Sequence, residues 1–307
     1  MPTITQLEYI VAVDTLRHFG LAAKQCFVTQ PTLSMQIKKA EEELGVIIFD
    51  RSKQPVLPTD VGIQLIKQAR IILRETQHLE QIIADFQENV SGQLRIGIIP
   101  TLAPYLLPLF VGDFVRNYPK LNLKIKELTT QQIIQGLQND SIDVGILVTP
   151  LKDSMLKEHI LFYEPIKAYV HPSHSLYGQQ SISIQDLQQQ SFWLLSQGHC
   201  FRDQVVNLCA LNQQKNLPFE YESNSLEGLQ RLVDKEGGFT LIPELATLPK
   251  KQHIQEIEAP KPLREVSLVY VRNFAKRKVL QLLSDSIKAA VPPHMLEAAP
   301  GHIVEWR

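Results

Sequence analysis

The N-terminal residues 1–59 carry apolar positions at helical spacing. The spacing predicts a short second helix at about 20–26 after a first helix whose apolar set is Leu7, Ile10, Val11 and Val13. A third helix is expected to begin after Thr29, whose hydroxyl can cap it, with Pro31 in its first turn and Gly45 as its stop. Residues 46–59, VIIFDRSKQPVLPT, then predict two short strands around a polar tip. The expected order is helix, helix, turn, helix and wing.

A coiled-coil pattern follows this module. Apolar positions alternate by four and three for more than three heptads, and neither Gly nor Pro occurs between Ile63 and Ser91. A seam of this length needs a partner helix, so the pattern predicts a dimerisation helix over 60–90. A long helix packed on its own domain is the alternative. The seam consists of Leu65, Ala69, Ile72, Thr76, Leu79, Ile83 and Phe86.

After Gly92 the pattern changes to strands that alternate with helices. Buried strands are predicted at 93–100, 121–128 and 142–148, with helices at 105–117 and 131–138, which is the order of a parallel sheet. Nearly two hundred residues of α/β pattern exceed one small sheet, so residues 91–307 are expected to form two lobes. The other expected elements are strands at 167–171, 191–196, 237–243 and 264–271 and helices near 184–190, 200–212, 225–235 and 275–290. The tail after Val291 has no periodicity and is expected to be loosely held.

Composition narrows the class of protein. The chain has 307 residues, 44% of them apolar, and a formal net charge of −1, which gives no strong overall attraction to nucleic acid or membrane. Its longest apolar stretches fall short of the about 18 residues that a membrane helix needs. The N-terminus does not have the pattern of a signal peptide, and three cysteines are too few for a disulfide scaffold. These features predict a cytoplasmic protein.

The third helix of the N-terminal module is expected to read DNA. In a helix-turn-helix the second helix lies in the major groove, and phosphates are held from flanking elements. A small protein-interaction module is the alternative, since residues 1–59 hold six basic and six acidic residues. A single copy of this module has no net charge and should bind DNA weakly, so a dimer on a palindromic site is expected. The candidate DNA contacts are Gln30, Pro31, Thr32, Ser34, Gln36 and Lys38 on the helix, and Arg51, Ser52 and Lys53 at the wing.

Two cysteines stand in the stretch GHCFRDQVVNLC, residues 198–209. Cys200 is expected to open a helix, where the helix N-terminus, His199 and Arg202 would lower its pKa, while Cys209 reads as a buried, unactivated thiol. Filling of the core is the default explanation for such a pair. A metal site is not expected, because only His199 is near.

The spacing of the two cysteines constrains any bond between them. Nine helical positions correspond to a net half turn and a rise of about 13.5 Å, whereas a disulfide needs Cα atoms about 4.4–6.8 Å apart. A disulfide between Cys200 and Cys209 would therefore require the helix to unwind. Such an element has two states and could be controlled by oxidation.

The N-terminal module resembles the winged helix-turn-helix of the LysR-type transcriptional regulators. The resemblance rests on LEYIVAV, on AAKQCFVTQPTLSMQIKKAEEELGVIIFDR, and on the turn formed by Leu57, Thr59 and Gly62, with Ala40 where Leu is usual. It implies an α/β chain with three parts: an all-α winged helix-turn-helix, a long linker helix, and a two-lobed regulatory domain like that of periplasmic binding proteins. It also implies Thr59 in the DNA module, binding to double-stranded promoter DNA, dimers or tetramers, and RNA polymerase as a candidate partner.

The cysteine stretch resembles the peroxide-sensing branch of the same family. GHCFRDQ with a cysteine at this spacing carries the resemblance, supported by IIPTLAPYLLP (98–108) and ELTTQQII (127–134). It implies hydrogen peroxide as the signal, oxidation of Cys200 to a sulfenic acid, and a disulfide with Cys209, without a cofactor. The implied peroxide pocket is Thr101, Thr130, His199 and Arg202, with Asp203 ordering the loop.

Other interpretations remain open at this point. Taken alone, Thr101 and Thr130 read as helix caps. The chain is not expected to be an enzyme, but a thiol peroxidase remains an alternative, as does a LysR-type regulator that binds a small metabolite between its lobes.

Overall fold

The computed structural model describes residues 1–86, 90–188, 192–209, 223–247, 253–272, 274, 276–297 and 301–305. The chain divides near residue 90 into two compact units, residues 1–89 with 273–277 and residues 90–272 with 278–307. Within the described part of the chain, no helix is long and apolar enough to cross a membrane.

The first unit has the predicted order of elements. Thr29 caps the third helix by accepting from the Thr32 N–H, and Gly45 ends it in the left-handed conformation at a φ of 68°. The two wing strands pair antiparallel, with Phe49 opposite Pro58. The elements are α1 (Ile4–Leu16), α2 (Phe19–Gln25), α3 (Gln30–Leu44), β1 (Phe49–Asp50), β2 (Leu57–Pro58) and α4 (Asp60–Phe86).

The N-terminal turns of the long helix α4 pack against the core of its own unit. Leu65 packs against the core of the module, and Ala69 is buried. Farther along, Ile72 and Leu79 are exposed, Leu79 by 63%. The first turns of the helix therefore pack on their own unit, and pairing with a second chain through the later turns stays a prediction. The side chains of Ile83 and Phe86 lie outside the described residues, and Thr76 turns its hydroxyl back onto the Leu73 carbonyl at 2.8 Å.

The second unit begins with a parallel βαβαβ arrangement, as predicted. Its strands have the spatial order β4-β3-β5, and the apolar side chains of the inner strands β3 and β5 are buried because helices cover the sheet. On β4, Leu121 is buried and Leu123 and Ile125 are half-buried. The elements are β3 (Gly92–Ile98), α5 (Ala103–Asn117), β4 (Leu121–Glu127), α6 (Thr130–Gln138) and β5 (Val144–Thr149).

Two long antiparallel strands join this first lobe to the second. They are β6 (Leu156–Val170) and β10 (Lys261–Val271), and they pair from Leu156 opposite Val271 to Pro165 opposite Leu263. The remaining elements before β10 build the second lobe. These are β7 (Ser181–Ile182), α7 (Ile184–Gln188), α8 (Cys200–Leu208), α9 (Leu226–Glu236), β8 (Phe239–Pro243) and β9 (Ile254–Ile257), with α10 (Arg277–Ala290) following β10.

Three expectations differ from the structure. The stretch 192–196 makes only isolated bridges at Trp193 and Leu195 and is not a strand. The strand expected at 167–171 begins much earlier, at Leu156. The described part of the tail is held in place: β11 (Gly301–Ile303) pairs in parallel with β10, and Val304 is 2% exposed. Backbone pairing to an existing strand needs no periodicity in the tail itself, so no hydrophobic pattern in residues 292–307 could predict it.

Candidate functional site

The two cysteines lie at opposite ends of α8. Cys200 is the first residue of this helix and Cys209 is its C-terminal cap. Both are free thiols, and both are buried, at 5% and 1% exposure. The rise of an α-helix over nine residues holds their Cα atoms about 13.5 Å apart. The reduced fold therefore keeps the two sulfurs out of bonding range, as expected from the sequence.

Two threonines at the carboxyl ends of neighbouring parallel strands complete the surroundings of Cys200. Thr129, not Thr130, caps α6, through a reciprocal capping box with Gln132. Thr130 is buried, and its hydroxyl has no well-formed hydrogen bond within the described part of the chain. It lies close enough to Cys200 to favour the thiolate. Thr101 does not cap a helix either, because the cap of α5 is Leu102.

A buried ion pair holds this region together. Arg264 on β10 lies directly opposite Glu164 on β6, and both side chains are completely buried. Arg264 Nε donates to Glu164 Oε2 at 2.8 Å, and the Leu245 N–H donates to the other oxygen at 2.8 Å. The pairing satisfies a carboxylate that would otherwise be costly to bury.

The same guanidinium reaches towards the cysteine. Arg264 donates to the Thr101 hydroxyl and to the Thr101 carbonyl, each at 3.1 Å. Its Cζ atom lies 5.5 Å from the ring centroid of Phe201, the residue that follows Cys200. A fixed positive charge thus stands at the N-terminus of α8, where it can stabilise a developing thiolate.

The pKa of Cys200 is not lowered as the sequence suggested. Burial is the largest influence and raises the pKa of this thiol above its usual value. Thr130, Arg264 and the Phe201 N–H act in the opposite direction, while Asp203 raises the pKa further. The cation that favours the thiolate is therefore Arg264. The charge of Arg202 instead lowers the pKa of Asp203, which burial raises.

His199 is fixed beside the cysteine by an amide. It is 8% exposed, and its Nε2 lies 3.1 Å from Asn224 Oδ1, which also accepts from the Ser196 hydroxyl. An amide oxygen that accepts from both groups favours the tautomer with the proton on Nε2. This arrangement leaves the other ring nitrogen available as an acceptor.

Cys209 stands in the apolar core of the second lobe. Its neighbours in that core include Val205, Leu208 and Phe239. Burial raises the pKa of its thiol to about 12. At neutral pH it is therefore a protonated, shielded thiol, as its apolar sequence context predicted.

Comparison with known families identifies the class of protein. Residues 87–292 match the family described as LysR substrate binding domain, and residues 4–63 match the family described as bacterial regulatory helix-turn-helix protein, lysR family. The chain belongs to the LysR family of transcriptional regulators.

Several LysR-family relatives are similar over almost their whole length. A hydrogen peroxide-inducible genes activator of Dickeya chrysanthemi is 35% identical over 297 residues, covering 95% of this chain and 97% of that protein. The DNA-binding transcriptional dual regulator OxyR of Escherichia coli is 35% identical over 295 residues, with coverages of 95% and 96%.

Solved structures give the same picture. A full-length OxyR variant from Pseudomonas aeruginosa matches with a TM-score of 0.81 and 32% identity, covering 95% of this chain and 99% of that chain. A hydrogen peroxide-bound OxyR mutant from Corynebacterium glutamicum matches with a TM-score of 0.62 and 27% identity, with coverages of 94% and 92%.

The candidate DNA contacts of this LysR-family module divide into exposed and engaged side chains. Gln30, Pro31, Thr32 and Lys38 are exposed on α3. Gln36 accepts from the Gln6 amide of α1 at 3.1 Å, and is half-buried. The first group is exposed to solvent, with Thr32 bonded to the Thr29 hydroxyl and Lys38 paired with Glu42 on the same helix. Gln36 instead helps to fix α3 on α1.

The wing shows the same division. Ser52 and Lys53 are exposed at its tip. Arg51 instead bridges to Glu41 at 2.9 Å and donates to the Ser34 hydroxyl at 3.2 Å, so both Arg51 and Ser34 brace the module. Thr59 is also structural, since its hydroxyl donates to the Ile47 carbonyl at 2.7 Å and accepts from the Gly62 N–H at 3.0 Å.

Sequence reasoning missed three residues of the site. Arg264 and Glu164 each interrupt an apolar strand, and a charge at such a position must find a partner. This charged position in an apolar strand could have been recognised in the sequence for both Arg264 and Glu164. Asn224 carries no comparable signal, because its role depends on a fold that brings it 3.1 Å from His199.

Proposed function

We propose that this LysR-family protein is a hydrogen peroxide-responsive, DNA-binding transcriptional regulator. The observation that carries the proposal is the buried Cys200 thiol, whose thiolate form is favoured by the Thr130 hydroxyl and by the buried charge of Arg264. Hydrogen peroxide is small and uncharged, and its two hydroxyl groups can donate to and accept from the hydroxyls of Thr101 and Thr130. The names of the relatives support peroxide as the signal.

The first chemical step is oxidation of Cys200. Its thiolate attacks one peroxide oxygen, the O–O bond breaks, and hydroxide leaves and takes up a proton as water. The product is a sulfenic acid. Thr101 and Thr130 would hold peroxide, Arg264 would stabilise the thiolate, and His199 would accept or return protons. Arg202 and Asp203 would fix the first turn of α8.

The second step joins the two cysteines. The Cys209 sulfur attacks the sulfenic sulfur, a disulfide forms, and water leaves with the sulfenic oxygen and the thiol proton. Because α8 holds these residues about 13.5 Å apart, the helix must unwind before the bond can form. One molecule of peroxide is thereby reduced per pair of thiols, and the regulatory domain is remodelled.

The output is a change in promoter binding. The exposed end of α3 and the wing would read double-stranded DNA, and the exposed Ile72 and Leu79 of α4 support pairing of two chains. Further association through the regulatory domains would give a tetramer on palindromic half-sites. Oxidation would change which half-sites of antioxidant genes are engaged, and RNA polymerase is the expected downstream partner.

Footprinting on a palindromic promoter site tests this function. The reduced protein and the protein treated with one equivalent of peroxide should give different footprints, and Cys200→Ser should keep the reduced footprint under both conditions. Cys26→Ser is the matched control and should switch normally. A Cys200→Ser protein that still switches would overturn the proposal, and continued turnover of peroxide with a thiol donor would indicate a peroxidase instead.

A further inference from the structure

The C-terminal segment Gly301–Glu305 lies along β10. Its strand β11 pairs with β10 from Lys261 opposite Gly301 to Leu263 opposite Ile303. The Val304 N–H then donates to the Leu263 carbonyl at 2.8 Å. This pairing ends one residue before Arg264, the cation of the cysteine site.

The same segment is bonded to the helix that carries both cysteines. Gln204 Nε2 donates to the Val304 carbonyl at 2.7 Å, and Asn207 Nδ2 donates to the Glu305 carbonyl at 2.8 Å. Gln204 is completely buried. The Val304 side chain enters the second-lobe core that also contains Cys209. Lys152 pairs with the Glu305 carboxylate at 2.8 Å.

The positions of the two bonds matter for the disulfide. Gln204 and Asn207 lie between the cysteines and three residues apart, so they share one face of α8. Unwinding of the helix would move this face and break both bonds. Gln204 and the Val304 carbonyl would then lose their buried partners, which is costly. The segment therefore resists the movement that brings Cys209 to Cys200.

We propose that residues 301–305 form a strap that holds α8 helical, with Gln204 and Asn207 as positioning residues for the second oxidation step. The strap sets the rate at which the Cys200 sulfenic acid becomes a disulfide and leaves the rate of sulfenic acid formation unchanged. It must leave α8 before the disulfide forms. This inference rests on the proposed function.

Two rates measured on the full-length reduced protein test the strap. After a peroxide pulse, sulfenic acid is trapped with dimedone, and the 200–209 disulfide is followed by acid quench and mass spectrometry. Val304→Ala weakens the strap without changing the sequence of α8. Asn207→Ala removes one bond although alanine favours the helix. His302→Ala, an exposed strap position, is the control.

The strap predicts that both variants form the disulfide about threefold to tenfold faster than wild type, because Asn207→Ala loses one hydrogen bond and Val304→Ala loses buried apolar packing of similar size. Sulfenic acid formation and the His302→Ala protein should match wild type. Hydrogen exchange of the α8 amides should rise in both variants. Disulfide rates equal to or below wild type in both would overturn the strap. If wild type itself formed no sulfenic acid or disulfide, the proposed function would fail instead.

Discussion

Arg264 donates hydrogen bonds to both the hydroxyl and the backbone carbonyl of Thr101, each at 3.1 Å. This contact joins β10 to the loop that follows β3. Because Arg264 is also paired with the buried Glu164, its charge is fixed before any ligand arrives. The cysteine site is therefore built on a rigid, preorganised cation.

Removal of that cation should destabilise the regulatory domain. Arg264→Met leaves Glu164 buried without its partner, and the free energy of unfolding should fall by about 3–5 kcal/mol. Adding Glu164→Gln should recover part of the loss, because no unpaired carboxylate remains. Urea unfolding of the three proteins measures both effects. A double variant no more stable than Arg264→Met would show that the buried charge is not the source of the loss.

Substitution of the adjacent residues Thr129 and Thr130 should affect different properties, folding stability for Thr129 and the rate of Cys200 oxidation for Thr130. Thr130→Val removes the hydroxyl that favours the Cys200 thiolate, so Cys200 oxidation should slow by about tenfold while stability changes little. Thr129→Val removes the capping box and should cost about 0.5–2 kcal/mol without slowing oxidation. Stopped-flow kinetics measures the rate of Cys200 oxidation in both variants, and thermal unfolding measures their stability. Equal oxidation rates in the two variants would show that Thr130 plays no part in Cys200 oxidation.

Alkaline pH should destabilise the reduced protein through Cys209. Burial raises the pKa of this thiol to about 12, while an unfolded cysteine titrates near about 8.5. Between these values the folded state keeps a proton that the unfolded state has lost, so stability falls as pH rises.

The corresponding measurement is the slope of unfolding free energy against pH, between about pH 8.5 and 11. Cys209→Ala should make this slope shallower by up to about 1.4 kcal/mol per pH unit. Cys26→Ala should change it less, since Cys26 is only partly buried. The assignment would be wrong if the slope of Cys209→Ala matched wild type.

DNA binding should depend on the exposed end of α3. Gln30→Ala should cost about 1–3 kcal/mol of specific affinity and relax the base preference at one position of each half-site. Lys53→Ala should weaken binding to all sequences and reduce the salt dependence by about one unit of slope. Gln36→Ala should act through module stability, because Gln36 is held by Gln6. Fluorescence anisotropy on specific and scrambled duplexes distinguishes these patterns.

The elements of the fold could be predicted because their signals are local. Thr29, Gly45 and the apolar stripes mark helix ends and buried faces within a few residues of sequence, and the structure confirms them. The parallel strands of the first lobe followed from the same kind of pattern.

The parts that escaped prediction depend on residues far apart in the chain. Arg264 meets Glu164 across 100 positions, and Gln204 meets Val304 across another 100. The Cys200 environment was misjudged for the same reason. The helix N-terminus was visible in the sequence, but the burial that raises the pKa of its thiol depends on tertiary packing. Contacts between residues so far apart in the chain leave no periodic pattern in the sequence.

The most direct test of the account is non-reducing peptide mapping of the full-length protein after one equivalent of hydrogen peroxide. The account predicts an intrachain cross-link between Cys200 and Cys209 in most chains, with Cys26 still a free thiol and the cross-link lost on reduction. A Cys200 that stays reduced, or a cross-link that uses Cys26 in place of Cys209, would contradict it.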